Sequence, residues 1–224
     1  MQTCNLIVDS CCDLPRELID LPGVELVRFP YRLRDGEHFD DMFVTTSAHD
    51  FYEGMRKGEH PTTAQMPLAM LVELFTRVMA SGEPTVFLSF SSALSGNYAS
   101  LEQLRDNLAP DYPQAQLYLV DTKLASIAEG LFVLEAIRQR DKGLSAPELA
   151  AWAQEARYFV DEQFMVDDLE ALRRGGRISA AVAFVGGKLD VKPLLDINSD
   201  GGLTLTGVAR GRKKGIKQIG RAHV

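Results

Sequence analysis

The chain of 224 residues carries 24 Lys and Arg against 31 Asp and Glu, a formal net charge of -7 with a pI near 5.2. Hydrophobic residues make up 46%, charged residues 25%, and the mean hydropathy is -0.08, a soluble globular composition long enough for one large domain or two small ones. The acidic balance argues against a nucleic-acid partner, and the best apolar run, Ala180 to Val185, falls far short of the roughly 20 residues a bilayer span requires, which argues against an integral membrane protein.

In chain order, Asn5 to Val8 reads as a short buried strand that ends at Asp9-Ser10. In an open α/β sheet that end is where ligands bind, so Asp9 and Ser10 are either turn formers or site residues; sequence leaves both readings open. The cysteines are Cys4, Cys11 and Cys12. An odd count with an adjacent pair is a poor basis for a disulfide framework, and Met1 to Asn5 lacks the basic region of a secretory leader, so the expected compartment is a reducing cytosol. A short helix is expected over Arg16 to Ile19, a strand over Val24 to Phe29, and a hairpin turn at Asp35-Gly36. Polar start signals at Thr46 to Asp50 open a helix carrying Phe51 and Met55. Pro61 to Pro67 is a polar turn before a helix over Leu68 to Met79, and Thr63 either caps that helix or points into a pocket.

The stretch Val86 to Ser100 reads VFLSFSSALSGNYAS, a buried strand that breaks into Ser91, Ser92, Ser95 and Gly96 and resumes as a helix. A Ser/Gly turn at a helix start gathers backbone N–H groups and hydroxyls where the helix dipole favours an anionic oxygen. The serines would otherwise be helix caps. Ala93-Leu94-Ser95-Gly96-Asn97 is not a nucleophile elbow, which requires glycine on both sides of the serine. Beyond it, Gln116 to Val120 is a strand, Ser126 to Arg138 a helix in which Gly130 allows close packing, and Ser145 to Arg157 a helix with a capping box at Ser145 and Glu148. Strands alternating with helices to about residue 158 imply a mostly parallel sheet flanked by helices.

From Tyr158 the pattern changes. Tyr158 to Val166 reads as a strand, Asp168 to Arg174 as a short helix, and Gly175 to Ser179 as a loop. Arg173, Arg174 and Arg177 form a basic cluster that meets an anion or simply decorates a helix end. Two extended runs around Asp200-Gly201 read as a hairpin, so a smaller α+β domain with antiparallel strands follows. The last helix, opened by Arg210, Arg212, Lys213 and Lys214, is expected to stop almost at once. Walker-A, H-E-x-x-H and C-x-x-C patterns are absent, and His38, His49 and His60 are isolated.

Taken in order, Val8-Asp9-Ser10 with Asp13-Leu14, Phe51-Tyr52-Glu53, Pro61 through Gln65, Ser91 through Tyr98, Val120-Asp121-Thr122 with Ser126, Leu169-Glu170, Arg174 through Ser179, Lys192 through Leu195 and Asp200-Gly201 form one specific set. That set resembles the DegV family of fatty-acid-binding proteins over nearly the whole chain. The resemblance implies two domains, 1–158 and 159–218, with a long-chain fatty acid in an apolar tunnel between them and no cofactor. It implies a carboxylate held by the Thr63 and Ser95 hydroxyls with the Gly96 N–H, with Asn97, Ser10 and Ser126 at the site and Arg177 near the carboxylate or a partner surface. It further implies that the bound acid is presented to a separate fatty acid kinase catalytic subunit, so that the chain is not itself the catalyst. Ala64, Asn97 and Ala128 depart from the residues usual in the family. The family commonly continues further, and residues 219–224 are expected to be a non-native tail on a truncated chain. The competing classes are a phosphotransferase or hydrolase acting on a small substrate at the same cleft, or an interaction module without lipid.

Overall fold

The computed structural model describes residues 3–167, 169–179 and 191–222, so the apolar run at 180–185 lies outside them. The chain divides into two units, Met1–Val160 and Asp161–Val224. The first contains β1 (Asn5–Asp9), β2 (Val24–Val27), β3 (Pro30–Leu33), β4 (Gly36–Phe39), α1 (Ala48–Arg56), β5 (Thr62–Thr63), α2 (Leu68–Ser81), β6 (Thr85–Ser89), α3 (Asn97–Leu108), β7 (Leu117–Asp121), α4 (Ser126–Asp141) and α5 (Ala146–Ala156). The second contains β8 (Gln163–Met165), α6 (Glu170–Arg174), β9 (Val191–Ile197), β10 (Leu203–Arg210) and α7 (Arg212–Ala222).

A four-stranded parallel sheet in the order β2-β1-β6-β7 forms the centre of the first unit. Its strands are apolar on both faces because helices cover both. Leu6, Val8, Val86, Leu88 and Val120 point to one side, against Phe132, Val133 and Ala136 of α4 and Leu149 and Ala153 of α5. Ile7, Phe87, Leu117 and Leu119 point to the other, against Leu71, Phe75 and Val78 of α2 and Leu101 and Leu104 of α3. The period-two alternation of the strands thus divides one sheet between two cores.

A second sheet, β4-β3-β5, is antiparallel. Arg34 and Asp35 turn its hairpin, one residue earlier than the expected Asp35-Gly36, and Gly36 opens β4 opposite Leu33 at φ 144, a backbone that side chains rarely allow. In the second unit β10-β9-β8 is an antiparallel sheet, with a register shift between Leu205 and Gly207. Helix α7 lies against it, and Gly215 lets Met165 and Ala209 approach the helix backbone.

Two further expectations need correction. Only Gln163–Met165 of the run Tyr158 to Val166 is a strand, because Arg157–Phe159 extend α5 as a 3-10 turn. Arg157 reaches back to donate to the Asp121 carbonyl, and its guanidinium and the Lys123 ammonium sit 5.0 and 5.5 Å from the Tyr158 ring centre, which holds that segment to the first unit. The last helix does not stop at once but runs over 11 residues, so Ile219 to Ala222 continue its backbone.

Gly130 is the closest helix contact beneath the β1 turn. A Cβ there would lie 2.5 Å from the Cys12 carbonyl oxygen and 2.9 Å from a Leu14 methyl group, backbone and core that have no room to yield. Gly130→Ala is therefore expected to destabilise the first unit by about 2 kcal/mol through overpacking, read as a lower denaturant midpoint at unchanged slope.

Candidate functional site

The parallel sheet reverses direction of growth between β1 and β6: β2 is added on one side of β1, and β6 and β7 on the other. Chain segments leaving the carboxyl ends of β1 and β6 part at this point, opening the crevice where α/β sheets bind ligands. Backbone groups released from the ladder need new partners. Asp9, fully buried, supplies two of them: Oδ1 accepts the Cys11 N–H at 3.1 Å and Oδ2 the Phe90 N–H at 2.8 Å. Ser10 is also fully buried and its Oγ accepts the Phe29 N–H at 3.1 Å.

The segment from Phe90 to Gly96 is tied on its other side to the loop after β7. The Asp121 carboxylate accepts from the Ser92 N–H at 3.0 Å and the Ser92 hydroxyl at 2.6 Å. Thr122 donates from Oγ1 to the Ser89 carbonyl at 2.9 Å, and Ser91 N–H donates to the Leu124 carbonyl at 3.1 Å. Between these two anchors the chain enters α3. The residue before the helix is Gly96, and no side chain caps it. Ser95 Oγ instead accepts the Asn97 N–H at 3.3 Å, which leaves the hydroxyl proton to be given elsewhere.

Asn97 begins α3 and is 1% exposed, yet neither its side-chain nitrogen nor its oxygen has a hydrogen-bond partner. An unsatisfied buried amide costs about 1–3 kcal/mol, so it marks a place where a polar group belongs. Gly96 lies beside it with the Gln65 side-chain amide where a Cβ would stand. Gln65 therefore brings the turn after β5 onto the turn before α3. Thr63 does not cap α2, whose N-terminal residue Pro67 has no side-chain cap bond; it is exposed on β5, paired with Tyr31 of β3.

Ser126 sits at the start of α4 with φ 49, and its hydroxyl donates to Asp13 Oδ2 at 2.6 Å; Asp13 also has φ 49. Two non-glycine residues held in the left-handed region and joined by a short hydrogen bond fix the β1 turn to α4. Arg177 belongs to the second unit, where Nη1 donates to the Gly175 carbonyl at 2.5 Å. Its neighbours Arg173 and Arg174 both pair with Glu170, at 2.6 and 3.6 Å. Ser95, Gly96 and Asn97 thus form one cluster, with Gln65 against it, while Ser10 and Ser126 are engaged by the turn after β1. Sequence reading passed over Gln65 as a contact and Asp9 as the clamp; an acid beside Ser10 at a strand end was the available signal.

Burial governs the titratable groups of the β1 turn. Burial pushes the Asp9 carboxyl up to about 7, against the lowering effect of its two N–H donors. Burial raises Cys12 to about 12 and Cys11 well above the ordinary thiol range, so both remain thiols at neutral pH. His38 is paired with Asp35 at 2.8 Å on the β3–β4 hairpin, and His49 and His60 are exposed. Among the described residues no cluster of His, Cys, Asp and Glu is placed to hold a metal ion, and no helix is long and apolar enough to cross a membrane.

A parallel sheet covered by helices, with a Ser-Gly-Asn helix start at its switch point, defines an α/β protein. The family model of the uncharacterised DegV family matches residues 3–222. A DegV domain-containing protein of Clostridium perfringens is 34% identical over 214 residues, 96% of this chain and 74% of the relative. The chain belongs to the DegV family. A structure described as fatty acid binding of a DegV family protein from Thermus thermophilus shares 30% identity at a TM-score of 0.81, covering 99% of this chain and 76% of that one. A stearic acid-binding protein from Eubacterium ventriosum has the same fold at 24% identity and a TM-score of 0.85, covering 98% and 76%.

Because burial raises Asp9 above the ordinary carboxylate range, folding favours its protonated form. The associated stability is fully present below about pH 4 and is lost as pH rises through about 7. The unfolding free energy of the wild type minus that of Asp9→Asn is expected to fall by roughly 4 kcal/mol at most across that window, then level off, in denaturant titrations at stepped pH.

Proposed function

We propose that this chain binds a long-chain fatty acid, with the carboxylate seated at the start of α3. The Ser95 hydroxyl and the Gly96 N–H donate to it, the Asn97 amide completes the cradle, and Thr63 reaches it from β5. Ser10 and Ser126 shape the adjoining turn, Arg177 serves the carboxylate end or a partner surface, and the acyl chain runs in an apolar tunnel. The observation that carries this reading is the buried, unpartnered Asn97 amide beside Ser95 and Gly96. A ligand oxygen there accepts from the Asn97 Nδ2 that the protein alone leaves unpaired.

The energetics divide between head and tail. Burying a carboxylate costs several kcal/mol unless directed donors and positive potential compensate, which hydroxyls, N–H groups and a helix start supply. Each buried methylene then contributes about 0.8 kcal/mol, so the tail provides most of the affinity and the head sets register. The Thermus thermophilus relative, described by its fatty acid binding, supports the ligand class. In line with the sequence resemblance, the chain needs no cofactor, works in the reducing cytosol and presents the acid to a separate kinase subunit rather than transforming it.

Small molecules extracted from the purified protein test this by mass spectrometry. A fatty acid is expected from the wild type, and at about tenfold lower occupancy from Ser95→Ala, which loses a donor to a charged group. Asn97→Leu is expected to lose the lipid while its ligand-free form unfolds at equal or higher denaturant, because the unpaired amide is gone. A wild-type extract free of acyl chains, or full loading of both variants, would contradict the assignment.

A further inference from the structure

The Asp9 side chain bridges the crevice at the β1–β6 divergence. Asp9 is the last residue of β1 and Phe90 the first after β6, and the 2.8 Å bond between the Asp9 carboxylate and the Phe90 N–H joins the two chain segments as they part. The other oxygen takes the Cys11 N–H at 3.1 Å and so fixes the 3-10 turn over Ser10–Cys12. A carboxylate can serve both donors because each oxygen accepts. A protonated carboxyl or an asparagine cannot, since one of its two terminal atoms then carries hydrogen.

We propose that ionised Asp9 is a positioning residue for the carboxylate cradle: it clamps the Phe90 and Cys11 amides together and thereby sets the path from β6 to Ser95, Gly96 and Asn97. When the clamp is protonated, one amide loses its acceptor, the turn loosens, and the affinity for fatty acid falls. Asp9 touches no ligand in this account and acts through the backbone it holds. The inference rests on the fatty-acid reading given above.

The surroundings determine where the clamp opens. Asp40, from the segment after β4, pushes Asp9 toward its protonated form, as burial does more strongly, while the two amides and the Cys11 thiol oppose them. Asp13 of the same turn and Glu129 of α4 act on the adjoining Cys11 and Cys12 thiols. Asp121 stands across the crevice at the end of β7, with its carboxylate engaged by Ser92 and the Lys123 N–H. The balance brings the transition of Asp9 to about 7, so the clamp responds within the neutral range.

The test uses the full chain, with hydrogen exchange at the Phe90 amide as a ligand-free readout and binding of a long-chain fatty acid as the second. At about pH 8, Asp9→Asn is expected to lower Phe90 protection and weaken binding by about tenfold, the worth of one hydrogen bond to a charged acceptor. Wild-type affinity, taken relative to Asp9→Asn so that titration of the ligand cancels, is expected to converge on the variant as pH falls to about 5.5. Equal affinities at about pH 8, unchanged Phe90 protection, or a ratio flat with pH would overturn the proposal. If the wild type bound no fatty acid at any pH, the reading beneath it would fall, and Phe90 exchange would still show whether the clamp exists.

Discussion

The constraint on which this structure depends is the parting of β1 and β6. Parallel strands satisfy one another's amides only while they run side by side, and at a switch point the chains leave in opposite directions. Their released N–H groups then need acceptors in a place that water does not freely reach. The side chains of Asp9 and Ser10 meet that need, holding Cys11, Phe90 and Phe29, while Asp121 and Thr122 accept the Ser92 and Leu124 N–H groups at the β7 end. The polar residues at the strand ends are therefore structural in the first instance, and the helix start between them inherits a fixed position.

From that arrangement the chemistry of the crevice follows. Ser95, Gly96 and Asn97 occupy a start of α3 that no side chain caps, and Asn97 is buried without a partner. Burial keeps the Cys11 and Cys12 thiols of the β1 turn protonated at neutral pH. In the proposed reading the Ser95, Gly96 and Asn97 donors receive a ligand oxygen. Membership of the DegV family, and a fatty-acid-binding relative at 30% identity, agree with that chemistry.

Much of this was legible in the residues because local signals and tertiary packing agree. Leu6-Ile7-Val8 and Val86-Phe87-Leu88 are apolar at every position, as doubly covered parallel strands require, and both lie in central strands. Gly36 marked the hairpin by its backbone preference, one residue past the Arg34-Asp35 turn, and Gly130 marked a helix approached by the Cys12 carbonyl. Where signals were short or shared, reading failed. Thr62 and Thr63 form a two-residue strand whose only reason is its pairing with β3, a contact across the chain that no local pattern carries. Tyr158 and Phe159 have strand-like side chains, yet Arg157 holds them in a turn through a bond to Asp121, 36 residues earlier in the chain. The Ser/Gly turn was visible as a strand-to-helix turn, but the burial of Asn97, its orphaned amide and the Gln65 contact depend on neighbours that only the fold supplies.

The most direct measurement is a titration of amide-labelled protein with a long-chain fatty acid carrying a labelled carboxyl carbon, followed by NMR. The account predicts that the first and largest shifts fall on the backbone of Gly96 and Asn97 and on the Asn97 side-chain amide, with the labelled carbon in contact with them. Shifts confined to the amino end of the sheet, in the cleft of about 260 Å³ lined by Asn5, Glu25 and Arg77, would place the head group elsewhere and contradict it.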